Sequence, residues 1–241
     1  MKALGKYYFF TLFLSLFVSQ NILADGSTNY LPKGDCDQQI QHHFYSLCYS
    51  NNHRQALWTT HLLTKESIQG KQKRTNDFRA DPYLKFPIMH KDYSGSGYDR
   101  GHLVPAGDMK LSKLSMSESF FMSNVAPQNP GFNRGIWVAL ENFTRRTILK
   151  QGDGFVVTSP VLEDDLNRLS SNVSIPNYFY KIIFVPEVNL MLAFLMPNQK
   201  ANKGYDIFDY QITVDDLEAL TGLDFFSELP NKLEDRLEST L

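Results

Sequence analysis

The segment Tyr98-Asp99-Arg100-Gly101-His102-Leu103-Val104-Pro105 puts a carboxylate, a guanidinium and an imidazole within four residues. Upstream, Asp92, Ser94, Gly95, Ser96 and Gly97 read as a loop, because glycines and small polar residues interrupt regular structure. Leu103-Val104 before Pro105 predicts a short strand that stops abruptly. A histidine at a strand edge can act as a general base near neutral pH. Arg100, two residues before His102, projects to the same face of an extended chain. Its planar fork of donors can grip a phosphate. A base beside a phosphate clamp points to phosphodiester hydrolysis.

A second segment offers ligands for a metal. Pro130-Gly131 is a turn signal, and beyond it Ile136, Leu140, Phe143 and Thr147 recur at helical spacing. Asn133, Trp137, Glu141 and Arg145 follow one another at steps of four, a row along another side of that helix. Each step drifts by about 40°, so Asn133 and Glu141 are expected to share a face. An amide oxygen and a carboxylate suit a hard cation such as magnesium, which keeps most of its waters and takes few protein ligands. Manganese is the alternative ion.

Each residue also has a plainer reading. Asp99 could cap the turn or hold Arg100, Asn133 could be a helix N-cap, and Glu141 with Arg145 could be an i,i+4 ion pair worth a few tenths of a kcal/mol. Those readings lose weight because the same positions fit one mechanism together. His42-His43 lacks such company and reads as a surface pair. His90 and His102 have no Cys or His cluster at ligand spacing, which argues against zinc.

Three ordered motifs carry a resemblance. Tyr-Asp-Arg-Gly-His-Leu-x-Pro begins at Tyr98, Ser-Asn-x-x-Pro-Gln at Ser123, and Asn-x-Gly-x-Trp-x-x-Leu-Glu at Asn133. Together they resemble the DNA/RNA non-specific endonuclease family, the ββα-metal nucleases. Asp81-Pro82, Asp92-Tyr93, the run Val156–Pro160 and the late run Leu220–Phe226 are similar too. The resemblance implies an α+β fold, an antiparallel sheet core with a metal-bearing helix. It implies that His102 is the general base activating water and Asn133 the direct protein ligand of the magnesium ion. Glu141 would hold metal-bound water, Arg100 and Arg145 would contact the phosphate or its transition state, and Asn124 would help order the site. A further substrate-binding arginine precedes Asp81-Pro82. Arg74 and Arg79 compete for that place, and Arg74 is preferred. The implied substrates are DNA and RNA, cut with little sequence preference, since phosphate and sugar contacts carry no direct sequence information. The rival readings are a catalytically inactive nucleic-acid-binding module and a metal-dependent phosphodiesterase acting on other substrates.

The elements around these motifs are legible in outline. Phe155–Thr158, Tyr178–Val185 and Leu190–Met196 read as strands, their aromatic residues as core. Asn142–Lys150 continues the metal-bearing helix. A capping threonine at Thr213, early acids and a closing Gly222 predict another helix. Lys2 and Lys6 precede the apolar run Tyr7–Val18, which is short for a membrane span, and Ala24 offers a cleavage point. The expectation is a signal peptide over 1–24 and a single nuclease domain over 25–241. The enzyme would then be secreted or periplasmic, with no stable membrane association. Cys36 and Cys48, the only two cysteines, are expected to form a disulfide in an oxidising compartment, worth roughly 2–4 kcal/mol. The net charge of −2 argues against tight storage on nucleic acid. A local patch built from Arg100, Lys110, Lys113, Arg134, Arg145, Arg146 and Lys150 would suffice for an enzyme that must release its product.

Overall fold

The computed structural model describes residues 30–241. The expected signal peptide and its cleavage point lie outside them. Seven strands make one antiparallel sheet: β1 (Gln38–Gln41), β2 (Ser46–Ser50), β3 (Gln55–Leu63), β6 (Gly154–Pro160), β7 (Tyr178–Val185), β8 (Leu190–Pro197) and β9 (Gln211–Ile212), paired in that order. Two further strands, β4 (Asp99–His102) and β5 (Val125–Gln128), pair only with each other. The antiparallel α+β architecture expected from the sequence is the one observed.

The long sheet is covered on both faces, so its central strands read as nearly unbroken apolar runs. Alternation along β7 sorts its side chains. Phe179, Ile183 and Val185 join a core containing Leu140 and Ile148 of helix α4 (Val138–Gln151), whereas Tyr180, Ile182 and Phe184 join a second core with Leu217 and Leu237. Leu217 belongs to α5 (Val214–Thr221) and Leu237 to α6 (Asn231–Glu238). Lys181 therefore points to the α4 side, fully buried. Helix α5 has the ends expected: Thr213 caps its first turn, and Gly222 ends it in the left-handed region at φ 69°. Three shorter helices, α1 (Lys65–Gln69), α2 (Lys113–Glu118) and α3 (Pro130–Phe132), punctuate the connections. No helix of the described residues is long and apolar enough to cross a membrane.

Cys36 and Cys48 are bonded, with Cα atoms 5.7 Å apart, tying the chain ahead of β1 to β2. Two local readings need correction. The strand at the histidine motif is Asp99–His102 itself, not Leu103-Val104. Leu103 and Val104 instead bond to Asn124, whose side chain takes both backbone groups of Val104. Of His42 and His43, read as a surface pair, only His43 is exposed. His42 is buried, with Nε2 2.9 Å from Asp81 Oδ2, and His43 Nδ1 lies 2.5 Å from Glu118 Oε1.

Candidate active site

The β4–β5 pair and the helix that follows position the motif residues. Asp99 stands opposite Gln128 and His102 opposite Val125. A side chain at Gly101 would run into Gln128, its Cβ only 2.1 Å from the Gln128 carboxamide, so the strand needs glycine there. Alternation puts Arg100 and His102 on one face, and Phe78 shows it. The Phe78 ring lies 5.2 Å from the His102 ring and 5.7 Å from the Arg100 guanidinium carbon.

His102 packs edge-on against Phe120 at 4.8 Å, and the Arg74 guanidinium lies over the same Phe120 ring at 4.8 Å. Arg74 is thus brought to the histidine. Arg79 is stacked on Phe121 and bonded to Asp77 and the Ser117 carbonyl, a structural use. Burial, reinforced by the Arg74 charge, pushes the imidazole of His102 down to about 3. It is neutral throughout the neutral range. Its Nε2 is sealed from solvent with no partner, which leaves Nδ1 as the nitrogen with access to the site.

Asp99 faces the other way. It accepts from Asn133 Nδ2 at 2.9 Å and from Arg134 at 2.6 and 2.8 Å, so its partner is Arg134, not Arg100. Burial opposes its charge, but those bonds hold the carboxyl below the usual range. The same bond fixes the Asn133 amide, with nitrogen on Asp99 and Oδ1 left as a free acceptor. Asn133 does not open a straight helix, as its spacing suggested. Asn133–Trp137 forms a wide π turn in which Gly135 (φ −110°, ψ −110°) leaves helical geometry, and Trp137 is buried. The kink at Gly135 separates the Asn133 turn from α4, so the fourfold spacing does not by itself fix how Asn133 and Glu141 face one another.

Glu141 and Arg145 sit on α4 with Arg145 Nη2 3.6 Å from Glu141 Oε2. Arg145 also donates to Asp108 Oδ1 at 2.6 Å and Asn142 Oδ1 at 2.9 Å. Asp108, in the short turn Ala106–Asp108, lies 3.3 Å from His61 Nε2. Burial opposes its ionisation, but the His61 and Arg145 contacts keep it ionised below the usual carboxylate range. Glu141 is different. Burial first, and the Asp108 charge second, push it up to about 7 against the pull of Lys181 and Arg145. Burial lowers Lys181 to about 8, while Glu141 and Asp108 pull it back up.

Asn124 is fully buried and spends its side chain on the backbone of Val104 and Ser119. It holds the chain just past His102. Asp108, His61 and Lys181 were missed in the sequence. The one available signal was Lys181, a charge in the middle of an apolar strand. Arg146 and Lys150 of the expected basic patch are exposed, whereas Arg134 is paired to Asp99.

A cation fits the residues present. The Asn133 oxygen is free, Glu141 is a half-buried carboxyl lacking full compensation, and amide and carboxylate oxygens are hard donors. Magnesium chemistry is consistent with that donor set.

The chain belongs to the DNA/RNA non-specific endonuclease family, whose model matches residues 24–232. It is a nuclease that hydrolyses phosphodiester bonds, of a metal-dependent family. Nuclease C1 of Cunninghamella echinulata var. echinulata is 34% identical over 230 residues, spanning 88% of this chain and 89% of the relative. Nuclease EXOG, mitochondrial, of Homo sapiens is 31% identical over 205 residues, spanning 77% of this chain and 56% of that protein. Among solved structures, a chain from the EndoG/EndoGI complex superposes with a TM-score of 0.78 at 31% identity, covering 86% of this chain and 92% of that one. The expected secreted or periplasmic location is overturned. Relatives from Schizosaccharomyces pombe, Danio rerio, Homo sapiens and Saccharomyces cerevisiae are mitochondrial nucleases by name. A leader is an address read by a receptor, and the chemistry of the folded domain does not depend on it.

Proposed function

We propose that this chain is a magnesium-dependent endonuclease that cuts DNA and RNA with little sequence preference, with His102 as its general base. The observation that carries this reading is a buried, neutral imidazole flanked by Arg74 and Arg100, on a strand pair joined to Asn133 through Asp99. His102 takes a proton from water at Nδ1. The water oxygen bonds to phosphorus as the bond from phosphorus to the 3′ oxygen breaks. Arg100, Arg74 and Arg145 grip the phosphoryl oxygens, where donors offset the developing negative charge. Asp108 holds Arg145 in place, and Asn124 holds the backbone behind His102. Asn133 would bind the ion directly and Glu141 through water. When bound, magnesium would polarise the phosphate and stabilise the leaving oxygen. None of these contacts reads a base edge, which favours broad use of DNA and RNA.

The test is nicking of supercoiled plasmid, and cutting of RNA, with magnesium, with manganese and with EDTA. The intact protein should cut both substrates and stop in EDTA. His102→Ala should lose about 10²–10⁴-fold in rate while keeping its fold, the usual worth of a general base. Asn133→Ala should bind magnesium more weakly by calorimetry. A His102→Ala rate within tenfold of the parent would remove His102 from the base role.

A further inference from the structure

On the opposite side of the long sheet from His102, α5 and α6 pack together through Leu217 and Leu237. Beside those two leucines stand acids. Oxygens of Asp215, Glu218 and Glu238 lie within 4.8 Å of one another. A second observation separates this group from an ordinary acidic surface. Glu238 is 5% exposed, and its Oε1 is buried without any hydrogen-bond partner. Glu218 uses Oε1 to accept from the Phe225 backbone at 2.7 Å, which fixes its carboxyl toward the group. Asp224 and Glu234 add further negative charge around Glu238. Lys33 acts on Glu234 but is itself paired with Glu228 at 3.1 Å.

A buried carboxylate without a partner is costly, and here the apolar contacts that dock α6 force it against two more carboxyls. Something must neutralise the group. We infer that Asp215, Glu218 and Glu238 form a structural calcium site that fastens α6 to α5. Calcium takes oxygen ligands at about 2.3–2.6 Å in flexible geometry and fills the rest of its shell with water. Two oxygens on opposite sides of such an ion stand about 4.8 Å apart, so the carboxyls already lie at ligand spacing. Magnesium, at about 2.0–2.1 Å with strict octahedral demands, fits this open arrangement less well. Glu238 lies beyond the residues 24–232 matched by the family model, so one ligand comes from outside the shared domain. The site is remote from the proposed chemistry and does not depend on it.

The competing neutraliser is a proton, since burial and the surrounding acids push Glu238 up to about 8. The experiment uses the full chain carrying Asn133→Ala, which removes the proposed magnesium ligand. Calcium is titrated by calorimetry, and thermal unfolding is followed at about pH 8.5, where ordinary carboxyls are ionised. One calcium per chain should bind, and Tm should rise by about 5 °C or more at a hundredfold excess over Kd. Adding Glu238→Gln should abolish both responses. Asp215→Asn, at an exposed position that leaves folding intact, should weaken binding by at least tenfold. Absence of binding and of a Tm shift would overturn the site in favour of the proton. A shift retained by both carboxyl variants would place the ion elsewhere and overturn it equally.

Discussion

Two glutamates, Glu141 half-buried and Glu238 buried, stand on opposite sides of the same sheet, and desolvation pushes both up: Glu141 to about 7 and Glu238 to about 8. Their neighbours differ. Lys181 and Arg145 act on Glu141 alongside Asp108, so charges of both signs meet there. Among the described residues, the charges that weigh most on Glu238 are all acids. Mixed charge can be arranged into directed contacts, as when Arg145 is locked between Asp108, Asn142 and Glu141. Charge of one sign cannot hold itself together and must recruit a proton or an ion. The first arrangement builds a site with a fixed orientation. The second builds a joint whose strength depends on what the solution supplies.

The sharpest way to break the first arrangement is Asp108→Ala. It would strand Arg145 and His61 together in a buried site, and loss of one partner from a buried pair costs about 3–5 kcal/mol. The urea midpoint should fall accordingly, and surviving folded enzyme should cut poorly because Arg145 is no longer held. A midpoint within error of the parent would show that the network is not rigid.

Glu141→Gln and Glu238→Gln sharpen the comparison directly. The first should lower cleavage about 10–100-fold, the usual cost of an outer-sphere partner at a metal centre. The second should leave plasmid cleavage within about twofold, because it touches none of the groups that meet substrate. Equal losses in the two variants would mean that the two sides of the sheet are coupled.

A further effect concerns His102 and acid. Its folded pKa is depressed to about 3 from an ordinary value near 6.5, so its contribution to stability is complete above about pH 6.5. That contribution is lost as pH falls toward 3, because the unfolded chain takes up the proton first. At pH 5 the loss amounts to about 2 kcal/mol. Urea unfolding at both pH values, in the parent and in His102→Gln, checks it: the variant should lose about 2 kcal/mol less on acidification. An equal loss in both would show that the imidazole is not held neutral.

Much of the fold was legible because its signals are local. Tyr178–Val185 is a strand with the bounds expected, and Thr213 with Gly222 marks both ends of α5. The first three strands carried no clear alternation, since Ser46, Gln55, Thr59, Thr60 and His61 are polar yet buried. Their polar groups are masked by long-range partners, such as Gln55 on the Ser174 carbonyl and Thr59 on the Thr158 carbonyl. His42 misled for the same reason: its partner Asp81 lies 39 residues away.

Taken alone, the sequence determined which residues could do chemistry: the Asp99–His102 motif, the Asn133–Glu141–Arg145 spacing and the cysteine pair. These need only neighbours along the chain, and a period of two or of 3.6 residues places them on faces. Tertiary structure alone decided what surrounds them. It laid Arg74 on Phe120 and Arg79 on Phe121, gave Asp99 to Arg134 and Asn133, and brought Asp108, His61 and Lys181 around Glu141 and Arg145. It also carried Glu238 back to Asp215 and Glu218. Such meetings depend on strand register and on which face of the sheet a helix covers. Those are set by the packing of two cores at once, so no single segment encodes them.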